Sequence, residues 1–334
     1  MGTPPSEIAQ SADEKDFKMP KREPLDLHEV DNKSCRRCKN KQERSTSNGL
    51  CDDVQSALDG APVRCVGQWA FDKIYFLNQY FGIFGNGMKY KWDGKLDYIE
   101  VCSGPGRCVV RETGREIDGT ALTVINNAFY AHYNSATFFD ISQPVVDTLN
   151  ARLRNRNAHT RAQAMIADYK ASQTIARTAK RRSAGGLSLV FIDPTDCGVP
   201  FETLRQFKRE LGTVDFIISI MTFADANRHL PRAIQDPASE VRAKYESFLG
   251  GPAFFLDPQN QAHARANDCQ ALRTAFREAY KTSLREEGYE FFAMEPVGSL
   301  YELLFASCHE RGIRFWEQAQ RIKPDNQTTF DFGI

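Results

Sequence analysis

The chain lacks any long apolar run and any excess of charge of one sign. No apolar segment of its 334 residues approaches the roughly 18 residues that a helix needs to span a bilayer. Lysine plus arginine and aspartate plus glutamate both number 43, so the formal net charge is zero. This balance disfavours a protein that coats nucleic acid, although a local basic face stays compatible with it.

Signals for secretion and for hydrolysis are missing as well. The N-terminus is polar and has no apolar stretch of the kind found in secretion signals, so we expect a cytoplasmic protein. The sequence contains no Gly-x-Ser-x-Gly, no His-Glu-x-x-His and no Gly-Lys-Ser/Thr phosphate loop. The hydrolase and nucleotide-triphosphatase classes that depend on these motifs are therefore excluded.

The nine cysteines are an odd number. Without a secretion signal, such a count favours reduced thiols over a disulfide framework. Four of them lie in a Cys-rich segment, residues 34–67, and its first pair has zinc-knuckle spacing. The predicted metal ligands are Cys35, Cys38, Cys51 and Cys65. Structural zinc, an iron–sulfur cluster and unliganded thiols are the three alternatives for this segment.

Apolar strands and amphipathic helices alternate along most of the chain. Residues 1–33 are rich in proline and charge and are predicted to be a flexible tail. The predicted strands are 98–102, 136–139, 162–166, 187–192 and 214–220, with helices between them. Such alternation is typical of βαβ units and of a mostly parallel sheet that is buried on both faces.

The C-terminal part departs from this rhythm. Predicted strands 289–294 and 301–308 are joined by a link that is too short for a parallel crossover, so they must pair antiparallel. A mostly parallel sheet with one reversed strand is the layout of S-adenosylmethionine-dependent methyltransferases. We therefore predict an α/β, Rossmann-like class I methyltransferase fold over residues 68–334, with a seven-stranded sheet. Residues 221–267 are predicted to be an insertion that acts as a lid or selects the substrate.

The first strand and the turn after it carry the clearest site signal. Glu100 lies near the end of the strand, and Ser103, Gly104 and Gly106 follow in a turn where missing Cβ atoms let a ligand approach the backbone. A dinucleotide site would need glycine at position 109, where Val109 stands. We expect this turn to bind S-adenosylmethionine, with Glu100 holding the methionine amino group. The alternative is an ordinary strand-to-helix turn.

Acidic residues also follow the next two strands. Asp140 ends the second strand, where a carboxylate can accept hydrogen bonds from both ribose hydroxyls of a nucleoside cofactor. Asp168 follows the third strand and is a candidate acceptor for the adenine amino group. For both residues the alternative is an acid that only caps a turn.

The predicted centre of the chemistry is Asp193-Pro194, at the end of the fourth strand. In amino-directed nucleic-acid methyltransferases the comparable site reads Asp/Asn-Pro-Pro-aromatic, and the acid and a proline carbonyl accept hydrogens from the target amine. No aromatic residue follows Pro194, so Phe201 or Phe223 would have to replace it.

Two further catalytic candidates follow the fifth strand at the same edge of the sheet. Asn227 is expected to pair with a base edge, and Arg228 to hold a phosphate. The alternative is a polar network between a loop and a helix.

Five runs of sequence together resemble the bacterial three-Cys-motif partner proteins. They are WAFDK (69–73), IEVCSGPG (99–106), FIDP (191–194), FIISIMTFADANRHL (216–230) and YELLFASCHERG (301–312). The resemblance implies a class I methyltransferase-like fold and, as partner, a three-cysteine, radical-enzyme-like protein encoded beside it. The chain departs from the family pattern at Glu100, Cys102 and Ser103, and again after the Asp-Pro pair, where Thr195 and Asp196 stand.

Three functional hypotheses follow. The leading one is an S-adenosylmethionine-dependent methyltransferase that acts on RNA or DNA together with a partner protein. The alternative is a non-catalytic scaffold of the same fold that binds the radical-enzyme-like protein or a nucleic acid, and the missing aromatic favours it. A weaker third reading is a metal-dependent nuclease built on Asp193, Asp196 and Asp225.

Overall fold

The computed structural model describes residues 27–38, 46–47 and 49–321. The strands are β1 (Val30–Asp31), β2 (Thr46–Ser47), β3 (Leu50–Cys51), β4 (Arg64–Val66), β5 (Leu96–Val101), β6 (Arg107–Val110), β7 (Arg115–Asp118), β8 (Ser135–Asp140), β9 (Ala162–Ile166), β10 (Leu187–Ile192), β11 (Thr213–Ile220), β12 (Phe291–Val297) and β13 (Tyr301–Ser307). The helices are α1 (Lys33–Arg37), α2 (Ala70–Met88), α3 (Thr120–Asn126), α4 (Gln143–Asn155), α5 (Ser172–Arg182), α6 (Phe201–Leu211), α7 (Asn227–Gln235), α8 (Glu240–Leu249), α9 (Ala253–Leu256), α10 (Pro258–Arg265), α11 (Cys269–Glu286) and α12 (Glu310–Gln320). None of these helices is both long and apolar enough to cross a membrane.

Seven strands form the central sheet, in the order β12-β13-β11-β10-β5-β8-β9. β11, β10, β5, β8 and β9 run parallel. β13 lies between β11 and β12 and is antiparallel to both. This order, with the last strand of the chain reversed and inserted beside β11, is that of class I methyltransferases. The predicted fold class is confirmed, including the antiparallel C-terminal hairpin.

Burial on both faces of the sheet explains the apolar character of its strands. Every residue of β5 and β10 is buried, including the polar ones. On the helix that precedes the sheet, Tyr80 of α2 packs its ring against Phe305 of β13 and Trp316 of α12. Because parallel strands point their carboxyl ends to one edge, the turns that follow β5, β8 and β10 are brought together there.

A second sheet of four strands lies beside the glycine turn, and the sequence analysis does not predict it. Its order is β1-β7-β6-β4. β6 and β7 form a hairpin, β4 pairs with β6 in parallel, and β1 pairs with β7 antiparallel. The predicted flexible tail therefore extends too far, because Val30–Asp31 is a strand and Leu27 is buried. The rest of that tail, residues 1–26, lies outside the described residues.

Buried charges hold the second sheet together. The Arg107 guanidinium donates hydrogen bonds to Glu116 and to Asp118, each at 2.5 Å. All three side chains are at most 1% exposed. Arg156, the residue after α4, also donates to Asp118, and the Asn32 amide donates to Glu116. Arg107, Glu116 and Asp118 are therefore interior residues whose charges are paired, whereas Arg115, at the start of β7, is exposed.

The segment between β11 and α11 is helical. After a π-helical turn at Thr222–Ala226, helices α7, α8, α9 and α10 fill most of the predicted insertion, residues 221–267. They pack on α11, where Phe248 stacks on Tyr280 at 4.5 Å between ring centroids. The role of this insertion as a lid or selector stays a prediction.

Candidate functional site

A pocket opens at the carboxyl ends of β5 and β10, beside the second sheet. Its lining includes Arg64, Trp69, Lys73, Ser103, Gly104, Gly106, Thr120, Asp193, Pro194 and Tyr301. These residues come from β4, the beginning of α2, the glycine turn, the start of α3, the Asp-Pro pair and the start of β13. Met221 and Ala224, from the 216–230 run, line it as well. All five sequence runs that carry the family resemblance thus contribute to a single cavity.

The glycine turn has a backbone that other residues rarely adopt. Gly104 and Gly106 have φ angles of +66° and +91°. A Cβ atom at Gly106 would lie 2.9 Å from Leu149 Cδ1, so packing forbids a side chain there. Although the β6–β7 hairpin follows the turn, the Gly119 N–H donates to the Gly106 carbonyl at 2.7 Å. This bond holds Gly119, the residue before α3, against the glycine turn.

Cys102 is the strained residue of the pocket wall. Its φ of +68° lies in the left-handed region, where glycine would be unstrained. The Cys102 N–H donates to the Phe139 carbonyl at 2.8 Å, which fixes this conformation against β8. Burial raises the pKa of the thiol, so Cys102 carries no charge at neutral pH. Strain of this kind concentrates at functional sites.

Glu100 lies beneath the glycine turn and is fully buried. The Tyr98 hydroxyl donates to its Oε2 at 2.8 Å, and the Thr120 hydroxyl donates to its Oε1 at 2.5 Å. Burial raises the pKa of Glu100 to about 8, although these two hydrogen bonds oppose the change. Thr120 lines the pocket and Glu100 does not. A direct contact between Glu100 and a cofactor amino group would therefore require Thr120 to move.

Replacing Glu100 by glutamine should change how stability depends on pH. The pKa of about 8 in the folded chain exceeds the ordinary value of 4.5. The stabilisation from protonated Glu100 is therefore complete below pH 4.5 and is lost as the pH rises through 8. Glutamine does not titrate. The free energy of unfolding of the variant should therefore increase relative to that of the wild type as the pH rises, by at most about 5 kcal/mol.

Urea unfolding at several pH values measures this difference between Glu100→Gln and the wild type. Glu286→Gln, at an exposed position of α11, is the matched control and should show no such trend. A stability difference for Glu100→Gln that stays constant with pH would contradict the raised pKa.

Asp140 braces the glycine turn against the neighbouring strand. Its Oδ2 accepts the Gly104 N–H and its Oδ1 accepts the Ser142 N–H, each at 3.1 Å. Each carboxylate oxygen has a second lone pair for a ligand hydroxyl. The next residue, Ile141, exposes 63% of its surface, which is unusual for a large apolar side chain in this fold.

Asp168 lies in an exposed loop after β9. Its Oδ1 accepts the Lys170 N–H at 2.8 Å, so it caps its own turn. Ile166, at the end of β9, is 55% exposed. The structure thus places Asp140 at the turn and Asp168 further out along the same edge of the sheet.

Asp193 is held by two side chains. Lys73 Nζ donates to its Oδ2 at 2.5 Å, and the Ser219 hydroxyl donates to its Oδ1 at 2.7 Å. The ammonium also lies 5.2 Å from the Trp69 ring centroid and 5.9 Å from that of Tyr301. Asp193 is only 8% exposed, so its charge is stabilised by Lys73 in a nearly dry setting.

Asn227 and Arg228 do not line this pocket. The Asn227 side-chain oxygen accepts a hydrogen bond from the Arg273 guanidinium of α11. Arg228 is exposed. Phe201 and Phe223, which were predicted to replace the aromatic residue missing after Pro194, do not line the pocket either. Phe201 is fully buried, and Phe223 lies against the Arg273 guanidinium. The geometry gives Asn227 the role of a partner in a loop-to-helix network.

The carboxylates of the nuclease hypothesis are held by cations. Lys244 of α8 donates to Asp225 at 2.7 Å and lies 3.4 Å from an Asp196 oxygen. Asp225 also accepts the Cys197 N–H at 2.9 Å. Within residues 27–38 and 49–321, no group of three or more His, Cys, Asp or Glu side chains is arranged to hold a metal ion. The nuclease hypothesis therefore loses its metal site.

Comparison with known proteins finds likeness only at the level of structure. No family model and no curated protein matches the chain. It is similar to a Legionella pneumophila protein, with 10% identity, coverage of 78% of this chain and 94% of that one, and a TM-score of 0.43. It is also similar to an S-adenosylhomocysteine-bound methyltransferase from Podospora anserina (11% identity, coverage 68% and 78%, TM-score 0.34). A third likeness is to the Bacillus subtilis tRNA methyltransferase TrmK (10% identity, coverage 69% and 67%, TM-score 0.33).

The chain has a class I methyltransferase fold. That assignment rests on its strand order and on the direction of each strand, which are stated above. The likenesses to solved structures, at 10% or 11% identity and with TM-scores of 0.43 or less, are not used for it.

The predicted metal ligands converge in this methyltransferase fold without forming a metal site. Cys35, Cys38, Cys51 and Cys65 all pack around the apolar cluster of Val54, Val63 and Val109. A hydrogen bond from Cys65 lowers the pKa of the Cys51 thiol to about 6. Because no group in the described part of the chain is arranged to hold a metal ion, the zinc prediction is not supported.

The sequence analysis missed several residues of the pocket. Lys73 lies on the buried stripe of α2 with Ala70, Ile74 and Leu77, and a lysine in an apolar stripe was an available signal. Ser219, in the buried strand β11, gave no such signal. Arg64 and Tyr301 were also missed, because only the packing of the two sheets brings them to the glycine turn.

Proposed function

We propose that this chain binds S-adenosylmethionine and transfers its methyl group to a nucleic acid, RNA or DNA. The observation that supports this most is the placement of the glycine turn, Asp140 and Asp193 along one edge of a sheet with methyltransferase strand order. Ligands of open α/β sheets bind at this edge.

The cofactor would lie across the glycine turn. Asp140 would accept the ribose hydroxyls while keeping its bond to the Gly104 N–H. The exposed side chains of Ile141 and Ile166 would supply apolar surface for the adenine ring. The methionine end would enter the pocket that Ser103, Lys73 and their neighbours line.

Asp193 would orient the methyl acceptor. With Ser219 on one oxygen and Lys73 on the other, its carboxylate has a fixed direction and retains lone pairs for an N–H or O–H of the target. Methyl transfer gains mainly from alignment of the nucleophile with the methyl group and sulfur, so a single positioned acceptor suffices. Because Lys73 is paired with Asp193, Arg64 supplies the unpaired positive charge among the lining residues, which suits a polyanionic substrate.

Membership in the three-Cys-motif partner family belongs to the same proposal. Its support is that WAFDK, the glycine turn, FIDP and the start of the 301–312 run all meet at the pocket. The proposed partner is the three-cysteine, radical-enzyme-like protein that the resemblance implies.

Binding of S-adenosylhomocysteine is the direct test. Isothermal titration calorimetry of the full chain should show one site for this product, and no site for a nicotinamide dinucleotide, which serves as control. Incorporation of a labelled methyl group into RNA and DNA then identifies the class of acceptor. A folded sample that takes up no S-adenosylhomocysteine would refute the proposal.

A non-catalytic scaffold is the second candidate. The observation in its favour is that Lys73 already occupies one oxygen of Asp193 and that neither Phe201 nor Phe223 takes the place of the missing stacking residue. A scaffold would form its complex with the partner protein equally well with Asp193 or with asparagine at that position. It would also transfer no methyl group to RNA or DNA in the presence of that partner.

A further inference from the structure

Four hydrogen-bond donors line the pocket without a partner in the described part of the chain. Trp69 Nε1, the Ser103 hydroxyl and the Tyr301 hydroxyl are buried and make no hydrogen bond there. The Arg64 guanidinium makes neither a hydrogen bond nor an ion pair with any described residue. An unsatisfied buried polar group costs about 1–3 kcal/mol. Their convergence on one cavity therefore indicates a ligand that supplies acceptors.

The chemistry of these donors selects an anion. A guanidinium and an indole N–H can only donate, and the two hydroxyls donate readily. Lys73, the other cation of the pocket, is already paired with Asp193. Arg64 therefore has no counter-charge paired with it among the described residues, and an oxyanion would satisfy both its charge and its hydrogen-bonding groups.

Arg64 is placed beside the glycine turn by the pairing of strands in the second sheet. β4 pairs in parallel with β6, and Arg64 lies opposite Cys108, two residues after Gly106. A Cβ atom built at Gly104 would lie 3.4 Å from Arg64 Nη1, so the guanidinium lies over the glycine turn. Ser103 and Tyr301 are 7% and 1% exposed, which makes this wall rigid and largely dry.

We propose that Arg64, Trp69, Ser103 and Tyr301 form an oxyanion subsite beside the glycine turn. The inference rests on the proposed function, in which the anion is the α-carboxylate of the cofactor's methionine moiety. A phosphate of the nucleic-acid substrate presents the same chemistry. The two sources are separated by the probes below.

Calorimetry on the full chain tests the subsite with three probes: S-adenosylhomocysteine, 5′-methylthioadenosine, which lacks the amino-acid part, and a 5′-phosphorylated oligonucleotide. Arg64→Gln should lower the affinity for S-adenosylhomocysteine by a factor of about ten or more, since a lost hydrogen bond to a charged group weakens binding by at least that factor. The affinity for 5′-methylthioadenosine should be unchanged. Weakened binding of the oligonucleotide alone would assign the anion to a phosphate. Tyr301→Phe, which removes one hydroxyl, should act in the same direction with a smaller effect.

Arg115→Gln is the matched control. Arg115 lies in the same sheet, is exposed and pairs with Glu29, so its loss should leave all three affinities unchanged. If Arg64→Gln binds S-adenosylhomocysteine and the oligonucleotide as tightly as the wild type, the subsite is refuted and the proposed function stands. If the wild type binds neither adenosyl compound, the proposed function fails. In that case the subsite survives only if Arg64→Gln weakens the oligonucleotide, and equal oligonucleotide binding refutes it too.

Discussion

Replacing Asp193 by asparagine should lower the rate of methyl transfer by about 10²–10⁴-fold and leave the affinity for S-adenosylhomocysteine nearly unchanged. Asparagine keeps the shape of the side chain and can still accept the Ser219 hydroxyl, so the pocket should stay formed. It cannot take a proton from the acceptor or neutralise Lys73. Single-turnover transfer and calorimetry measure the two quantities separately.

A set of variants separates catalysis from stability at this pair. Lys73→Met leaves the 8% exposed Asp193 without its cation and should cost about 3–5 kcal/mol of unfolding free energy. Combining Lys73→Met with Asp193→Asn removes both charges, so most of that stability should return while methyl transfer stays low. Wild-type turnover by Asp193→Asn would contradict a role for this carboxylate in catalysis.

Replacing Arg107 by methionine should lower the free energy of unfolding by about 3–5 kcal/mol. The substitution leaves Glu116 without its guanidinium partner and Asp118 with Arg156 alone, in a setting where both carboxylates are fully buried. Urea unfolding measures the loss. Arg115→Gln, which breaks an exposed ion pair of the same sheet, should cost less than about 1 kcal/mol.

The cost of Arg107→Met should also depend on pH. Burial raises the pKa of Glu116, but hydrogen bonds from Ser56, the Ala57 N–H, Arg107 and Asn32 outweigh it and hold the pKa below the ordinary value. Ionised Glu116 therefore stabilises the fold fully at a pH above the ordinary pKa of a glutamate. This stabilisation is lost as the pH falls through the lower pKa that Glu116 has in the folded chain. The penalty should be largest near neutral pH and shrink in acid. A small penalty that does not vary with pH would contradict the buried network.

The central sheet was predictable because its strands are long, apolar and regularly spaced. The predicted bounds of β9 and β10 agree with the structure at both ends. The link between β12 and β13 is too short for a parallel crossover, so these two strands had to pair antiparallel. The second sheet escaped prediction because β6 and β7 have four residues each and begin with arginine. Arg107, Glu116 and Asp118 look solvent-exposed in sequence, and they are buried because their charges pair with one another.

The site was predictable to the extent that it depends on strand ends. Glycines after β5 and the acids after β8 and β10 meet because parallel strands end at one edge. Asn227 follows β11 at that same edge, and yet its side chain turns to Arg273, since α11 offers it a partner. Position along a strand therefore locates a residue near the site without giving the direction of its side chain.

Periodicity, glycines and connection lengths are local properties, so the amino-acid sequence alone was sufficient for the fold class, the glycine turn after β5 and the position of Asp193 at the end of β10. Pairing of buried charges depends on segments that are far apart in the chain, such as Lys73 and Asp193, which are 120 positions apart. No local pattern encodes that distance. Packing of α2 against the central sheet decides that Asp193 is ion-paired. The tertiary structure also decides that Arg64 of the second sheet reaches the glycine turn, and that the four cysteines cluster around valines.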